Sequence, residues 1–475
     1  MKNRYIKRCF AILMIVLLLG MFPMTSVLAN SAQTQWAGVS PAGVVIKDKE
    51  SPIIVEKELL TFDIFEFPEQ HYTDADKYLD YSGKVTAEYT FFNPADYTVT
   101  ATLAFPFGNI PDYGHIYDIE TDERIWGADT EKYDVTIDGQ PIEKTLRHTY
   151  LPAYTEFEPE RDLIRLNTTG DAFYSPDMTV TKYNFVPKGV DTETYDAATA
   201  AFEYSGDPGK TKIFLNNARG GGGAADGKSV SLHAWVDKDA EYTIYAIGQP
   251  LDEIPVWKVY ENGGCEKEID GEMEYVGTET ITFQDFALTS YEPDSGISEE
   301  DWYNAVVASM NMHEWTPYGA LTDSEFRFDI SGDLMRWYEY EITLEPGERI
   351  VNAVTAPVYP SIDSSYEPPV YEYTYLLSPA KTWAGFGSLD IVINTPFYML
   401  ESEDYRKTSE GYTQSLTGLP EGELSFKLSA DENPSRPSRI ASYFPTEIML
   451  VGAAVLVAIV VVIVFVRVAK KKRMK

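Results

Sequence analysis

The chain has 475 residues, with 74 acidic against 39 basic side chains and a net charge of −35. Residues 30–447 hold every acid and only 29 of the bases, a balance of −45 that repels nucleic acid and anionic lipid and excludes a nucleic-acid-binding role. At 44% apolar content the chain is too long and too hydrophobic to be a disordered acidic tail, and it can build several packed domains.

Lys2, Arg4, Lys7 and Arg8 precede an apolar run, Phe10 to Leu19, and Val27-Leu28-Ala29 is a small-residue cleavage pattern. Together they predict a signal peptide over 1–29. Cys9 precedes the apolar core and leaves with it, so the mature chain keeps a single thiol, Cys265, with no disulfide partner. No histidine neighbours Cys265 in sequence, which argues against a nucleophilic role.

From Val44 the pattern becomes β. Ile53-Ile54-Val55 and Leu59 to Phe65 are rich in branched and aromatic residues, and Lys84 to Phe92 and Tyr97 to Phe105 follow. In Lys84 to Phe92, Val85, Ala87, Tyr89 and Phe91 alternate with Thr86, Glu88 and Thr90, as in a strand with one buried face. Asn93-Pro94-Ala95-Asp96 supplies turn chemistry and predicts a hairpin. Asp138-Gly139 predicts a second.

The run from Val85 through Asn93 to Phe107 resembles an aromatic-strand, Asn-turn, valine-strand, Phe-Pro signature of secreted, membrane-anchored bacterial proteins grouped as domains of unknown function. Tyr375 to Ile393 is similar to the C-terminal part of the same families. The resemblance covers under a tenth of the chain. It implies a bacterial envelope protein of β type and brings no active site with it.

Short β runs continue at Thr199 to Tyr204, Lys212 to Leu215, Ser229 to Val236, Glu241 to Ile247, Val256 to Tyr260 and Glu279 to Phe286. One helix interrupts them near 298–311, where Ile297, Trp302, Val306 and Met310 recur at helical spacing and Ser298 with Asp301 forms a capping box. A third β segment covers 331–429, either as a separate sandwich or as the completion of the first. Residues 430–447 read as a polar stalk. Residues 448–466 are apolar and uncharged, and 19 residues at the helical rise span about 28 Å, enough for one transmembrane helix. The basic tail 467–475 holds the C-terminus in the cytoplasm. A small-xxx-small spacing, Ala454 and Ala458 with Gly452 beside it, would let two such helices pack as a homodimer.

The expected architecture is mainly β: tandem antiparallel β-sandwich-like domains over 30–150 and 151–330, the 331–429 segment, one short amphipathic helix and a single C-terminal transmembrane helix.

Gly222 to Ser229 satisfies the phosphate-loop expression letter for letter, yet Val230, Leu232, Ala234 and Val236 alternate like a strand where that loop needs a helix. Calcium is the better inorganic candidate. Asp118, Glu120, Asp122 and Asp129 follow a one, three, five, twelve spacing, although Glu123 stands where a tight calcium loop needs glycine. Asp74, Asp76 and Asp80 form a looser cluster. His71, His115, His148, His233 and His313 have no zinc spacing, and no serine-nucleophile elbow is present. With no catalytic constellation, the expectation is a single-pass cell-membrane protein whose ectodomain binds or assembles with envelope proteins or glycan. The alternatives are a surface hydrolase of wall polymer and a calcium-dependent adhesion module.

Overall fold

Alternation in the sequence becomes burial in the structure. In the strand Lys84–Phe92, Val85, Ala87, Tyr89 and Phe91 are fully buried while the intervening residues are not. The structure, a computed structural model, describes residues 34–35, 42–47, 51–68, 83–108, 116–117, 124–125, 134–152, 157–167, 169–223, 227–312, 318–322 and 330–436. Within these the protein is mainly β, with several antiparallel sheets and few helices. The signal peptide, the transmembrane segment 448–466 and the tail lie outside the described residues. Among those described, no helix is long and apolar enough to cross a membrane.

The contact pattern separates a small unit, Met1–Gln35 with Asp363–Glu367 and Arg436–Lys475, from the rest of the chain. In it Arg436 lies 3.7 Å from Asp363 and 4.4 Å above the Tyr366 ring. Everything that follows belongs to the larger unit.

The largest sheet has eight strands, in the order Arg406–Lys407, Gly411–Thr417, Phe386–Asn394, Ile54–Asp63, Lys84–Phe92, Arg349–Pro357, Val135–Ile137 and Gln140–Pro141. The segment 331–429 therefore contributes strands to the same sheet as the first 150 residues. Phe386–Asn394 runs parallel to Ile54–Asp63, a departure from the all-antiparallel expectation. A four-stranded sheet (Thr145–Tyr150, Leu334–Leu344, Val99–Gly108, Val45–Ile46) and the ladder Val370–Tyr375, Leu424–Ser429, Tyr398–Leu400 share one core with it. Phe62, Phe91, Phe105, Tyr338, Tyr375 and Phe426 are among its large side chains.

The Asp138-Gly139 hairpin is present: both residues have positive φ, and Ile137 pairs with Gln140. The Asn93 hairpin is not. Lys84–Phe92 pairs with strands of the large sheet, whereas Val99–Gly108 pairs with Leu334–Leu344 in the other. The turn at 93–97 therefore carries the chain between sheets, and the turn 345–348 does the same beside it. Asn93, fully buried, joins them: its amide donates to the carbonyls of Tyr97, Leu344 and Glu345 at 2.9, 3.1 and 3.2 Å, and its Oδ1 accepts from the Ala95 N–H. Turn composition is the same for a hairpin and a crossing, so the difference lies in long-range pairing.

Thr145–Tyr150 and Leu334–Leu344 are neighbours, with Tyr150 opposite Leu334. The chain between them departs from one strand and returns on the next. It forms a five-stranded sheet (Glu272–Thr282, Thr179–Lys188, Tyr242–Gly248, Thr211–Leu215, Ala320–Thr322) and a four-stranded one (Gly220–Gly223, Val230–Trp235, Thr199–Tyr204, Lys258–Tyr260) around a shared core. The helix Glu299–Met312 buries Trp302, Tyr303, Val306 and Met310 against Phe283 and Phe286. The strand expected through Phe286 ends at Thr282, which caps a short helix, Phe283–Ala287. A further helix, Pro159–Asn167, covers Trp337 with Leu163 and Leu166.

Candidate functional site

A cleft of about 990 Å³ lies on the four-stranded sheet of the middle segment. Its floor follows from strand register. Glu203 lies opposite Ser231, and Ala201 opposite Lys258, so these four share the face turned away from Phe202, Leu232 and Ala234, which are in the core. Its walls are the turn 205–211 and the loop 249–257.

Two glycines hold the walls close. A Cβ at Gly248, where φ is +105°, would collide with the Lys210 carbonyl, and one at Gly206 would collide with the Tyr204 hydroxyl. The Gln249 N–H donates to Lys210 O at 3.1 Å and the Thr211 hydroxyl to Gln249 O at 2.9 Å. Asp207 closes the turn by accepting from the Gly209 N–H at 3.0 Å. The walls are thus tied to each other through backbone bonds, which favours a cleft formed before any ligand arrives.

The lining is polar and acidic. Glu203, Asp207, Asp252 and Glu253 face it together with Lys210 and Lys258. Tyr204, 9% exposed, presents its hydroxyl beside Gly206; burial raises its pKa, and the negative charges of Asp207 and Asp252 raise it further. Ile254 and Val256 leave 44% and 81% of their surface exposed on one wall. Such an arrangement can hold a polar, cationic or hydroxylated ligand by hydrogen bonds and charge, with some apolar contact.

Two ionisable clusters lie elsewhere. Glu58 is fully buried among Tyr89 and Tyr375, whose hydroxyls bond each other at 3.1 Å, and neither Glu58 oxygen has a hydrogen bond within bonding geometry. Burial raises its pKa to about 7 against the opposing pull of the two phenols. Asp301, on the helix Glu299–Met312, accepts from Arg147 Nε at 3.0 Å and from the His148 N–H at 2.8 Å, fastening that helix to the four-stranded sheet of the main core. Its carboxylate turns to that sheet, although its own N–H still bonds Ser298 Oγ at 3.1 Å as the capping pattern predicts. Burial first, and then the charges of Arg336 and Arg147, lower the pKa of His148 to about 3, so its ring is neutral at ordinary pH.

Of the residues singled out by sequence, the calcium candidates Asp118, Glu120, Asp122 and Asp129 lie outside the described residues, as do Asp74, Asp76 and Asp80. Among the described residues no group of three or more His, Cys, Asp or Glu is placed to hold a metal ion. Cys265 is a free thiol at positive φ, and burial pushes its pKa up, opposite to the shift of an activated nucleophile. Gly220–Gly223 pairs antiparallel with Val230–Trp235, so the phosphate-loop letters sit on a β-hairpin and no helix follows them. The cleft was not singled out by sequence. Its walls are loops separated by some forty residues, and the one local signal was the Gly206-Asp207-Pro208-Gly209 turn after a strand ending in Glu203-Tyr204. Glu58 had a clearer signal, since it occupies an inward position in the alternation Glu58, Leu60, Phe62, Ile64.

No family model matches the chain, and no curated protein matches it. One similar solved structure is the crystal structure of a candidate nutrient binding protein from Legionella pneumophila subsp. pneumophila str. Philadelphia 1. It is 9% identical over 83% of this chain and 72% of that one, with a TM-score of 0.26, a likeness too slight to bear on fold or ligand.

Proposed function

We propose that the protein is a binding protein of the bacterial envelope, displayed outside the cytoplasmic membrane by the 448–466 helix after loss of residues 1–29, and that the cleft between residues 201 and 260 receives its ligand. The observation that supports it is a cleft of about 990 Å³ with walls fixed by backbone hydrogen bonds, at the upper end of the size range of small-molecule sites. The mainly β body supplies a rigid platform for such a site, and the net charge of −45 over 30–447 suits a soluble ectodomain. On this reading the stalk 430–447 lifts the β-sandwich bodies clear of the bilayer, and the partners are other envelope components or glycan.

A thermal-shift screen of wall-derived sugars, amino acids, short peptides and polyamines tests the cleft, because a ligand that binds only the folded chain raises its melting temperature. The expected result is a rise that disappears in Ser231→Trp, which fills the cleft floor. Shifts that all survive Ser231→Trp, or none at all, would overturn it. Labelling of Glu421→Cys in intact cells by a membrane-impermeant maleimide tests the placement, which fails if labelling requires lysis.

The four carboxylates in one cleft favour a second reading, a hydrolase of wall glycan. Time-dependent release of reducing ends, lost in Glu203→Gln and Glu253→Gln, would establish it.

A further inference from the structure

We propose that the cleft takes a flexible alkyl polyamine rather than a neutral sugar, an inference that rests on the cleft being the binding site. Four carboxylates line it against two ammonium groups, and both ammoniums are already engaged: Lys210 Nζ lies 3.5 Å from Asp207 and Lys258 Nζ 3.6 Å from Glu268, which is outside the lining. Glu203, Asp252 and Glu253 make no hydrogen bond or ion pair among the described residues, so the cleft carries uncompensated negative charge.

A second, independent feature points the same way. Tyr204 is nine-tenths buried and lines the cleft together with Asp207 and Asp252, and its hydroxyl, beside Gly206, makes no hydrogen bond among the described residues. A phenol oxygen left without a donor in an acidic cleft is suited to an ammonium group, which donates three N–H bonds and accepts none.

Of the lining aromatics, Phe202 and Tyr204 are core rings, 2% and 9% exposed, whereas Tyr260 is half-buried and shares the face of Lys258, where its ring can meet an ammonium or the methylenes beside it. On the loop wall, Leu251, Ile254, Pro255 and Val256 offer aliphatic contact between the charged positions, matching a chain in which methylene groups separate ammoniums.

Calorimetric titration of the full-length chain in detergent micelles, with spermidine and with chitotetraose as a neutral probe, tests this at 50 and 300 mM NaCl. Spermidine is expected to saturate one site, with affinity at least tenfold weaker at the higher salt. A further loss of about tenfold is expected in Asp252→Asn/Glu253→Gln, and of severalfold in Tyr204→Phe. The control Glu421→Gln/Glu432→Gln removes two acids that do not line the cleft and should leave binding unchanged. Equal weakening in that control would show diffuse attraction to an acidic surface and overturn the proposal. Chitotetraose binding that Ser231→Trp abolishes, with no spermidine binding, would overturn the polyamine assignment and leave the cleft reading standing. Silence from both probes overturns the polyamine assignment, and the broader screen decides the cleft.

Discussion

Glu58 and His148 are two buried groups whose shifted titrations fall at or below neutral pH, and they push stability in opposite directions with pH. Glu58 holds its proton more tightly in the folded chain, at about 7, than the usual 4.5, so its contribution is full below pH 4.5 and is lost as pH rises to 7. That loss amounts to about 3 kcal/mol. His148 is the reverse: with a folded pKa of about 3 against 6.5, its contribution is full above pH 6.5 and is lost as pH falls toward 3. Between pH 4.5 and 6.5 the two slopes oppose and largely cancel. Glu58→Gln should therefore unmask a rise in stability across that window and be more stable than the natural chain at pH 8, by up to about 3 kcal/mol. Urea denaturation midpoints of both proteins at pH 5 and pH 8 check this, and an unchanged difference between the two pH values would contradict it. That Glu58 sits in the core was legible from its place in an alternating run. What could not be read was that the residues closing over it, Tyr89 and Tyr375, come from strands 286 positions apart.

At the scale of elements, strands and the helix Glu299–Met312 were legible because their periodicity is local. The helix Glu299–Met312 and strands such as Lys84–Phe92 and Thr199–Tyr204 stand where Trp302, Val306, Met310 or Val85, Ala87, Tyr89 place them. Partner choice was not local, and the turn at Asn93 shows why. Its Asn-Pro pair specifies a reversal, and only the bonds from Asn93 to Leu344 and Glu345 decide which sheet the chain enters next. Asn93→Ala removes three donated bonds and leaves buried carbonyls unpaired, so a loss of about 3 kcal/mol is expected. Asp96→Ala, on the exposed side of the same turn, should stay within about 0.5 kcal/mol. Guanidinium unfolding of the two variants separates them, and similar losses in both would assign the cost to the turn and not to the amide. The cleft was illegible for the same reason: the turn at 206 and the loop at 249 meet only because Thr211–Leu215 pairs with Tyr242–Gly248.

Across the molecule, the N-terminal and C-terminal strands of the large sheet depend on each other, since Ile54–Asp63 lies between Lys84–Phe92 and Phe386–Asn394. The sheets of the middle segment have no such debt, since both close within residues 179–322, and its tie to the main core runs through Asp301 to Arg147 and His148. A fragment of residues 169–322 is expected to fold on its own, with a cooperative thermal transition and β-type circular dichroism, whereas a fragment of residues 42–150 is not. Finding the second folded and the first unstructured would mean that the shared cores misstate where cooperativity lies. Tyr150 and Leu334 face each other across one rung, about 5 Å apart as antiparallel partners are. A donor polypeptide whose own ends emerge that near together could be spliced into this gap in place of the resident one, leaving the host ladder in register, so the joint is a natural port for exchanging one inserted body for another.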